Sequence, residues 1–130
     1  MSAALYAGVA VAGSLGAGTR FVVDGVVRAR RDTDAAWADL PLGTPLINVT
    51  GSALLGLLTG LVVFHGVPPP WQVVAGTGFC GGYTTFSTAA FESIRLAQQH
   101  RTAFAAVNAV GTVVLSVLAA AAGLAVAALI

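Results

Sequence analysis

The sequence predicts an all-α membrane protein with four transmembrane helices, the third of which is broken. The chain is 57% hydrophobic and only 8% charged, whereas a soluble domain carries roughly 25% charged residues. Its apolar residues form four stretches, each close to the ~20 residues that cross a ~30 Å hydrocarbon core. The stretches are residues 3–23, 42–64, 71–91 and 103–130. We therefore expect a single four-helix transmembrane domain over residues 1–130, with its function inside the helices.

The first stretch, residues 3–23, is predicted to be a transmembrane helix rather than a cleaved signal peptide. It has no basic region before it, and it is far longer than the roughly 7–15 apolar residues of a signal peptide. Arg20 lies near its predicted end, and a polar loop, residues 24–41, follows. We expect the arginines of this loop to be surface charges that set the orientation in the membrane.

The second and fourth stretches carry the same polar pattern, Asn-x-x-Gly-Ser/Thr. It begins at Asn48 in one stretch and at Asn108 in the other. The asparagine and the hydroxyl residue are one helical turn apart, so they share a helix face and offer neutral donors there. Buried Asn, Ser and Thr also commonly bond neighbouring helices, which is the alternative interpretation. Two copies, together with the hydroxyl residues of the third stretch, favour a polar track.

The third stretch contains residues 78–88, which read Gly-Phe-Cys-Gly-Gly-Tyr-Thr-Thr-Phe-Ser-Thr. Non-helical backbone survives in a membrane only where protein or a water-filled cavity satisfies it, and transporters place ion sites at such broken helices. The glycine pair therefore predicts a break, and the hydroxyls after it predict an ion site. Ser87 and Thr88 either line this site or bond to the preceding turn. Cys80 and Tyr83 are predicted to be packing residues.

The chemistry of the side chains indicates a small anion. No Lys, Asp or Glu occurs at mid-membrane depth, which disfavours a proton-coupled exporter, because such proteins need an embedded carboxylate. Amides, hydroxyls and the positive edges of aromatic rings bind an anion weakly enough to release it. The net charge of +1 indicates no nucleic-acid partner, and we expect no enzymatic activity. Glu92 is expected to be a solvated charge at a helix end, with a role in a vestibule as the alternative. His65 and His100 are expected to be solvated.

Four segments carry a resemblance to a known family. They are GSLGAGTRF (13–21), GTPLINVTGS (43–52), GFCGGYTTFST (78–88) and VNAVGT (107–112). Together they closely resemble the four helices of the CrcB/Fluc fluoride channels, and the third segment is highly specific. The resemblance implies passive, fluoride-selective export across the bacterial plasma membrane, which relieves fluoride toxicity. It also implies an antiparallel, dual-topology dimer in lipid, with two fluoride pathways along the subunit interface.

The same resemblance implies roles for individual residues. The positions that match the fluoride pathway are Asn48, Phe86, Ser87, Thr88, Asn108 and Thr112. Arg20 matches a vestibule arginine. A structural sodium ion is also implied at the centre of the dimer, bound by the backbone carbonyls of Gly81 and Thr84.

The sequence departs from the family at Ala89, where a second pore phenylalanine is expected. Phe91 lies about 200° away around the helix, so it is a poor substitute. An alternative function is therefore a non-conducting or partly conducting subunit that pairs with a paralogue in a heterodimer. The arginines favour this alternative, because they predict cytoplasmic first and third loops and termini outside. A subunit that inserts equally in both orientations would have balanced loops.

Overall fold

The computed structural model describes residues 2–130, and the secondary structure of this range is helical. In chain order the elements are α1 (Ala3–Ala29), α2 (Gly43–His65), α3 (Pro69–Gln72), the π-helix π1 (Val73–Cys80), α4 (Gly81–Tyr83), α5 (Phe86–Gln98) and α6 (Thr102–Leu129). Helices α1, α2 and α6 are each long and apolar enough to cross a membrane. The prediction of an all-α membrane protein is therefore confirmed.

Helix α1 is longer than the apolar stretch that predicted it. Ser2 caps its start, because the Ser2 Oγ accepts a hydrogen bond from an amide of the first turn (3.3 Å). The helix continues past the predicted end and finishes only at Ala29. In this extra part, Asp24 and Arg28 form an ion pair one turn apart (2.9 Å), which supports a solvated helical turn. The helix therefore extends beyond the predicted apolar span, since hydropathy marks the apolar part alone.

Helix α2 agrees closely with the predicted second stretch. It ends at Gly66, whose φ of 65° is the left-handed conformation that glycine adopts without strain. The imidazole of His65, the last helical residue, lies 2.6 Å from the carbonyl oxygen of Ala127 in α6. The side chain is exposed, as the sequence predicted, and this contact joins the ends of α2 and α6.

The third predicted span is interrupted, but the interruption does not lie at its glycine pair. Gly81 and Gly82 are helical, and the chain leaves the helix at Thr84 (φ −79°, ψ 162°). Thr85 is also extended, and its Oγ1 accepts a hydrogen bond from the Thr88 amide (3.2 Å), which starts α5. Two extended threonines thus form the break. Helix α5 then continues beyond the predicted end of the span.

Glycines allow close approach at two helix interfaces. A Cβ at Gly16 in α1 would collide with the backbone of Phe79, and a Cβ at Gly82 would collide with α1 in turn. Gly56 of α2 has the same relation to the α6 backbone. Small residues at such contacts are typical of packed membrane helices. Gly82 therefore serves the approach of α4 to α1.

The first and third loops lie at the same end of the molecule. Asp39 of the first loop and Arg101 of the third form an ion pair. Arg31 also closes the first loop on itself, since its Nη2 donates to the Leu40 carbonyl (2.6 Å). Helix α2 leads away from this end, and residues 69–98 lead back to it. The two segments therefore run in opposite directions along the molecule.

Candidate functional site

Asn48 holds the break from α2. Its Oδ1 accepts a hydrogen bond from the Thr85 amide (2.8 Å), and its Nδ2 donates to the Thr85 carbonyl (2.9 Å). The side chain is only 9% exposed. Asn48 thus satisfies both backbone groups of an extended residue that has no helical partner. An amide nitrogen carries two hydrogens, so one donor of Asn48 remains for another partner.

Arg20 reaches the same break from α1. Its Nη1 donates to the Thr84 carbonyl at 3.5 Å. The sequence placed Arg20 near the end of the first helix, whereas it lies well inside α1, which extends to Ala29. Arg20 is therefore not a loop charge but a half-buried cation beside the break.

The carbonyl of Thr84 is available to a further partner. The chain turns extended at this residue, which takes the carbonyl out of the regular helical pattern. A carbonyl oxygen has two lone pairs, so one remains beside the Arg20 contact. Gly81 lines the same groove as Thr84 and has open space where a side chain would begin. These two positions can present backbone oxygens to a cation, although Gly81 itself lies within α4.

A groove of about 790 Å³ runs along the broken segment between α2 and α6. Every residue that lines it is uncharged, and Asn48, Thr85 and Phe86 lie on its wall. The Phe86 side chain is 85% exposed. Ala89 also lines the groove, whereas Phe91 points elsewhere and is exposed. The groove is therefore lined by one phenylalanine, Phe86, and by Ala89 where a second ring would lie one turn later.

Helix α6 contributes a row of polar side chains to this region. Asn108 is 2% exposed, and its Nδ2 donates to the Ser93 Oγ (2.9 Å). Its Oδ1, the Oγ1 of Thr112 and the Oγ of Ser116 are all buried without a partner within residues 2–130. The three residues follow one another at successive turns of α6, so they share one face. Ser116 was missed by the sequence reasoning, although it lies one turn beyond Thr112 on the predicted polar face.

The hydroxyls of Ser87 and Thr88 are engaged at the start of α5. The Thr85 Oγ1 lies 3.1 Å from the Thr88 Oγ1 and 3.4 Å from the Ser87 Oγ. Together with the Thr88 amide, these contacts form the cap of α5. The sequence allowed Ser87 and Thr88 either to line the ion site or to form local hydrogen bonds. The structure shows local hydrogen bonds for both residues. Neither is among the residues that line the groove.

A second cavity, of about 350 Å³, opens at the end that holds the first and third loops. Charged residues of both signs line it: Asp24, Arg28, Arg31, Asp39, Glu92 and Arg95. The Oε2 of Glu92 is buried and has no partner among the described residues. Glu92 was expected to be a solvated helix-end charge. That expectation was wrong, because α5 continues to Gln98 and the side chain turns into this cavity.

Comparison with known proteins agrees with this architecture. The family described as CrcB-like protein, Camphor Resistance (CrcB), matches residues 7–124. A relative from Leifsonia xyli subsp. xyli, named fluoride-specific ion channel FluC 1, is 53% identical over 116 residues, or 89% of this chain and 81% of the relative. A relative from Cutibacterium acnes, named fluoride-specific ion channel FluC 2, is 43% identical over 90% of this chain and 92% of its own length.

A third relative, from Mycobacterium tuberculosis, has the same printed name as the second. It is 42% identical over 92% of this chain and 88% of its own length. The family match includes the break and the polar row of α6. The chain therefore belongs to the CrcB family and is a multi-pass protein of the plasma membrane.

Proposed function

We propose that this chain is a subunit of a passive, fluoride-selective channel. The observation that carries the proposal is the pair of buried, unpartnered hydroxyls of Thr112 and Ser116, which lie on one face of α6 and can each donate a hydrogen bond to an anion. A buried polar group without a hydrogen-bond partner lowers the free energy of unfolding by about 1–3 kcal/mol. Several such groups on one helix face therefore suggest that a bound ion supplies the missing hydrogen bonds. The groove beside it is uncharged. The names of the relatives support fluoride as the ion.

The neutral groups suit an anion that must shed its water. The hydroxyls of Thr112 and Ser116 donate hydrogen bonds, and Asn48 retains one free amide hydrogen beside the break. The edge of the Phe86 ring carries partial positive charge. These groups replace hydration water without a full positive charge, so the ion is not trapped. The pathway would run from Asn48 and Phe86 along the row on α6.

The broken segment would form the fourth crossing of the membrane. The ion pair between Asp39 and Arg101 puts the first and third loops at one end, which supports a complete crossing by residues 69–98. The groove is open on one side, and Phe86 is exposed on it. A second subunit is needed to close the groove, and an antiparallel dimer would present two such grooves to each other.

A structural sodium ion would be held by the carbonyls of Gly81 and Thr84. The support is the extended conformation of Thr84, together with the open space beside Gly81. Such an ion would neutralise backbone dipoles at the break and join two subunits. Ion replacement with an anomalously scattering monovalent cation tests this assignment. Density from water alone at the two-fold axis would contradict it.

The decisive experiment for the function is ion efflux from liposomes that contain only this chain. We expect rapid discharge of a fluoride gradient and hardly any discharge of chloride. Comparable chloride efflux would contradict the selectivity. If this chain is silent alone but active with a paralogue, Ala89 marks it as a partner subunit of a heterodimer. Restoring the ring with Ala89→Phe should then increase fluoride efflux from this chain alone.

A further inference from the structure

Tyr83 and Thr50 form a hydrogen-bonded pair directly beside the break. The Tyr83 hydroxyl lies 3.0 Å from the Thr50 Oγ1. Thr50 also donates to the Leu46 carbonyl at 2.8 Å, which uses its single hydrogen. With the Thr50 hydrogen directed at Leu46, the Tyr83 hydroxyl donates to Thr50. The bond joins the last helical residue of α4 to α2.

The Tyr83 ring is fixed on its other sides as well. It is 9% exposed and stacks on Phe79 with the ring centroids 5.8 Å apart. Gly51 leaves room for it on α2, since a Cβ there would lie 3.1 Å from the ring. Gly16 leaves room on α1, where a Cβ would lie 2.8 Å from the Tyr83 amide nitrogen. The Tyr83 ring therefore packs beside Gly51 of α2, and the Tyr83 backbone packs beside Gly16 of α1.

The Tyr83–Thr50 pair lies next to the break at Thr84 and Thr85. Tyr83 is held through its side chain by Thr50, and Thr85 is held through its backbone by Asn48. Thr84 lies between these two anchors, and both anchors belong to one helix, α2. The Thr84 amide and Oγ1 both donate to the Cys80 carbonyl (2.9 and 2.8 Å), so the residue is held from the preceding turn and from α2 on either side of it.

We propose that the hydrogen bond from Tyr83 to Thr50 is a positioning contact that orients the break for ion conduction. It acts through the Thr84 backbone and touches no ion itself. The inference rests on the proposed channel function. It predicts that loss of the hydroxyl alone, with the ring retained, disturbs both the backbone of residues 84–86 and the rate of fluoride efflux.

Substitutions at Thr50 separate this role from simple packing. Thr50→Val keeps the shape and removes the hydroxyl, whereas Thr50→Ser keeps the hydroxyl and removes a methyl group. A positioning contact predicts slow efflux for Thr50→Val and near-normal efflux for Thr50→Ser. A packing role predicts the reverse. Tyr83→Phe should resemble Thr50→Val, with efflux reduced about three- to tenfold, as expected for one neutral hydrogen bond.

Matched controls are available in α1. Tyr6 is exposed, so Tyr6→Phe should leave efflux unchanged. Thr19 donates to the Leu15 carbonyl within its own helix (2.8 Å), so Thr19→Val serves as the control for Thr50→Val. The double variant Tyr83→Phe with Thr50→Val should be no slower than either single variant, because both remove the same bond. Additive losses would overturn the pairing.

Amide hydrogen exchange tests the inference independently of conduction. Exchange at residues 84–86 should accelerate in Tyr83→Phe and Thr50→Val, and stay normal in Thr50→Ser and in both controls. If the unmodified protein passes no fluoride either alone or with a paralogue, the proposed function fails, while the exchange result still decides whether the hydrogen bond positions the break. Unchanged exchange at residues 84–86 in Tyr83→Phe would overturn the inference.

Discussion

At the scale of single residues, two groups of hydroxyl side chains in the helices differ in their hydrogen bonding. The first group donates to a carbonyl one turn earlier in the same helix, as Ser14, Thr19, Thr59 and Ser93 do. Such hydroxyls are satisfied locally. Thr112 and Ser116 form the second group, because their oxygens are buried without a partner in the described part of the chain. This difference separates ordinary helix residues from candidates for the ion pathway.

Ser116→Ala tests this distinction. We expect fluoride efflux to fall by about tenfold or more, because a hydrogen bond to a charged species contributes roughly 1.5–3 kcal/mol. Ser14→Ala is the matched control, since the Ser14 hydroxyl donates to the Ala10 carbonyl (2.9 Å), and its loss should not change efflux. Equal efflux in the two variants would remove Ser116 from the pathway.

Asn48 is expected to matter for stability as well as for conduction. Asn48→Ala leaves the Thr85 amide and carbonyl buried without their partner, at a cost of about 1–3 kcal/mol for each group. Asn48→Asp keeps the acceptor for the Thr85 amide but places a carboxylate in the groove. We therefore expect both variants to lower the thermal unfolding temperature and to abolish most fluoride efflux, since the carboxylate of Asn48→Asp would also face the Thr85 carbonyl, which cannot donate to it. An unchanged unfolding temperature in Asn48→Ala would contradict the two hydrogen bonds.

At the scale of the elements, helix contacts depend on where glycine is required. A Cβ at Gly56 of α2 would collide with the Ala120 backbone of α6, and backbone cannot rotate away as a flexible side chain can. Gly111 of α6 has no atom within 4 Å of that position in the described structure. A side chain is therefore excluded by close packing at Gly56 but not at Gly111.

Gly56→Ala should therefore separate α2 from α6 and destabilise the fold, by about 1–3 kcal/mol if the core shifts as in other overpacked sites. Gly111→Ala is the matched control and should be neutral or slightly stabilising in the monomer, because alanine is the better helix former. Thermal unfolding in detergent measures both. A Gly56→Ala variant as stable as the unmodified protein would show that the two helices can adjust.

At the scale of the whole molecule, the charges are distributed unequally between the two ends. Five arginines lie at or near the end that holds the first and third loops: Arg28, Arg30, Arg31, Arg95 and Arg101. The sixth, Arg20, contacts the break instead and does not count as a loop charge. The bias predicted from the sequence is thus smaller by one charge, but its sign is unchanged.

We predict that this chain prefers the orientation with its first and third loops in the cytoplasm. Single cysteines at Ser2 and at Asp34 report opposite ends, and the native Cys80 is buried, so it should not react. In intact cells, an impermeant thiol reagent should label Ser2→Cys strongly and Asp34→Cys weakly. Equal labelling of both, with fluoride efflux from this chain alone, would favour a homodimer with both orientations.

The sequence alone was sufficient for the membrane class, the presence of a break and the family. Low charge and long apolar stretches are properties of composition, and the glycine- and hydroxyl-rich run is a local signal. Sequence also predicted the face that begins with Asn108 and continues to Thr112. It did not predict that α1 extends to Ala29 or that the Glu92 carboxyl is partly buried, because hydropathy does not register a helix that continues into a polar loop.

The tertiary structure decided what the glycines and polar residues do. Gly82 is in close contact with α1, and the break lies instead at Thr84 and Thr85, whose backbone groups find partners on Asn48 and Arg20. The role of each polar group thus depends on a contact between residues far apart in sequence. The local sequence indicates which residues can leave a helix. The packing of the helices determines where the backbone amide and carbonyl groups of these residues find hydrogen-bond partners.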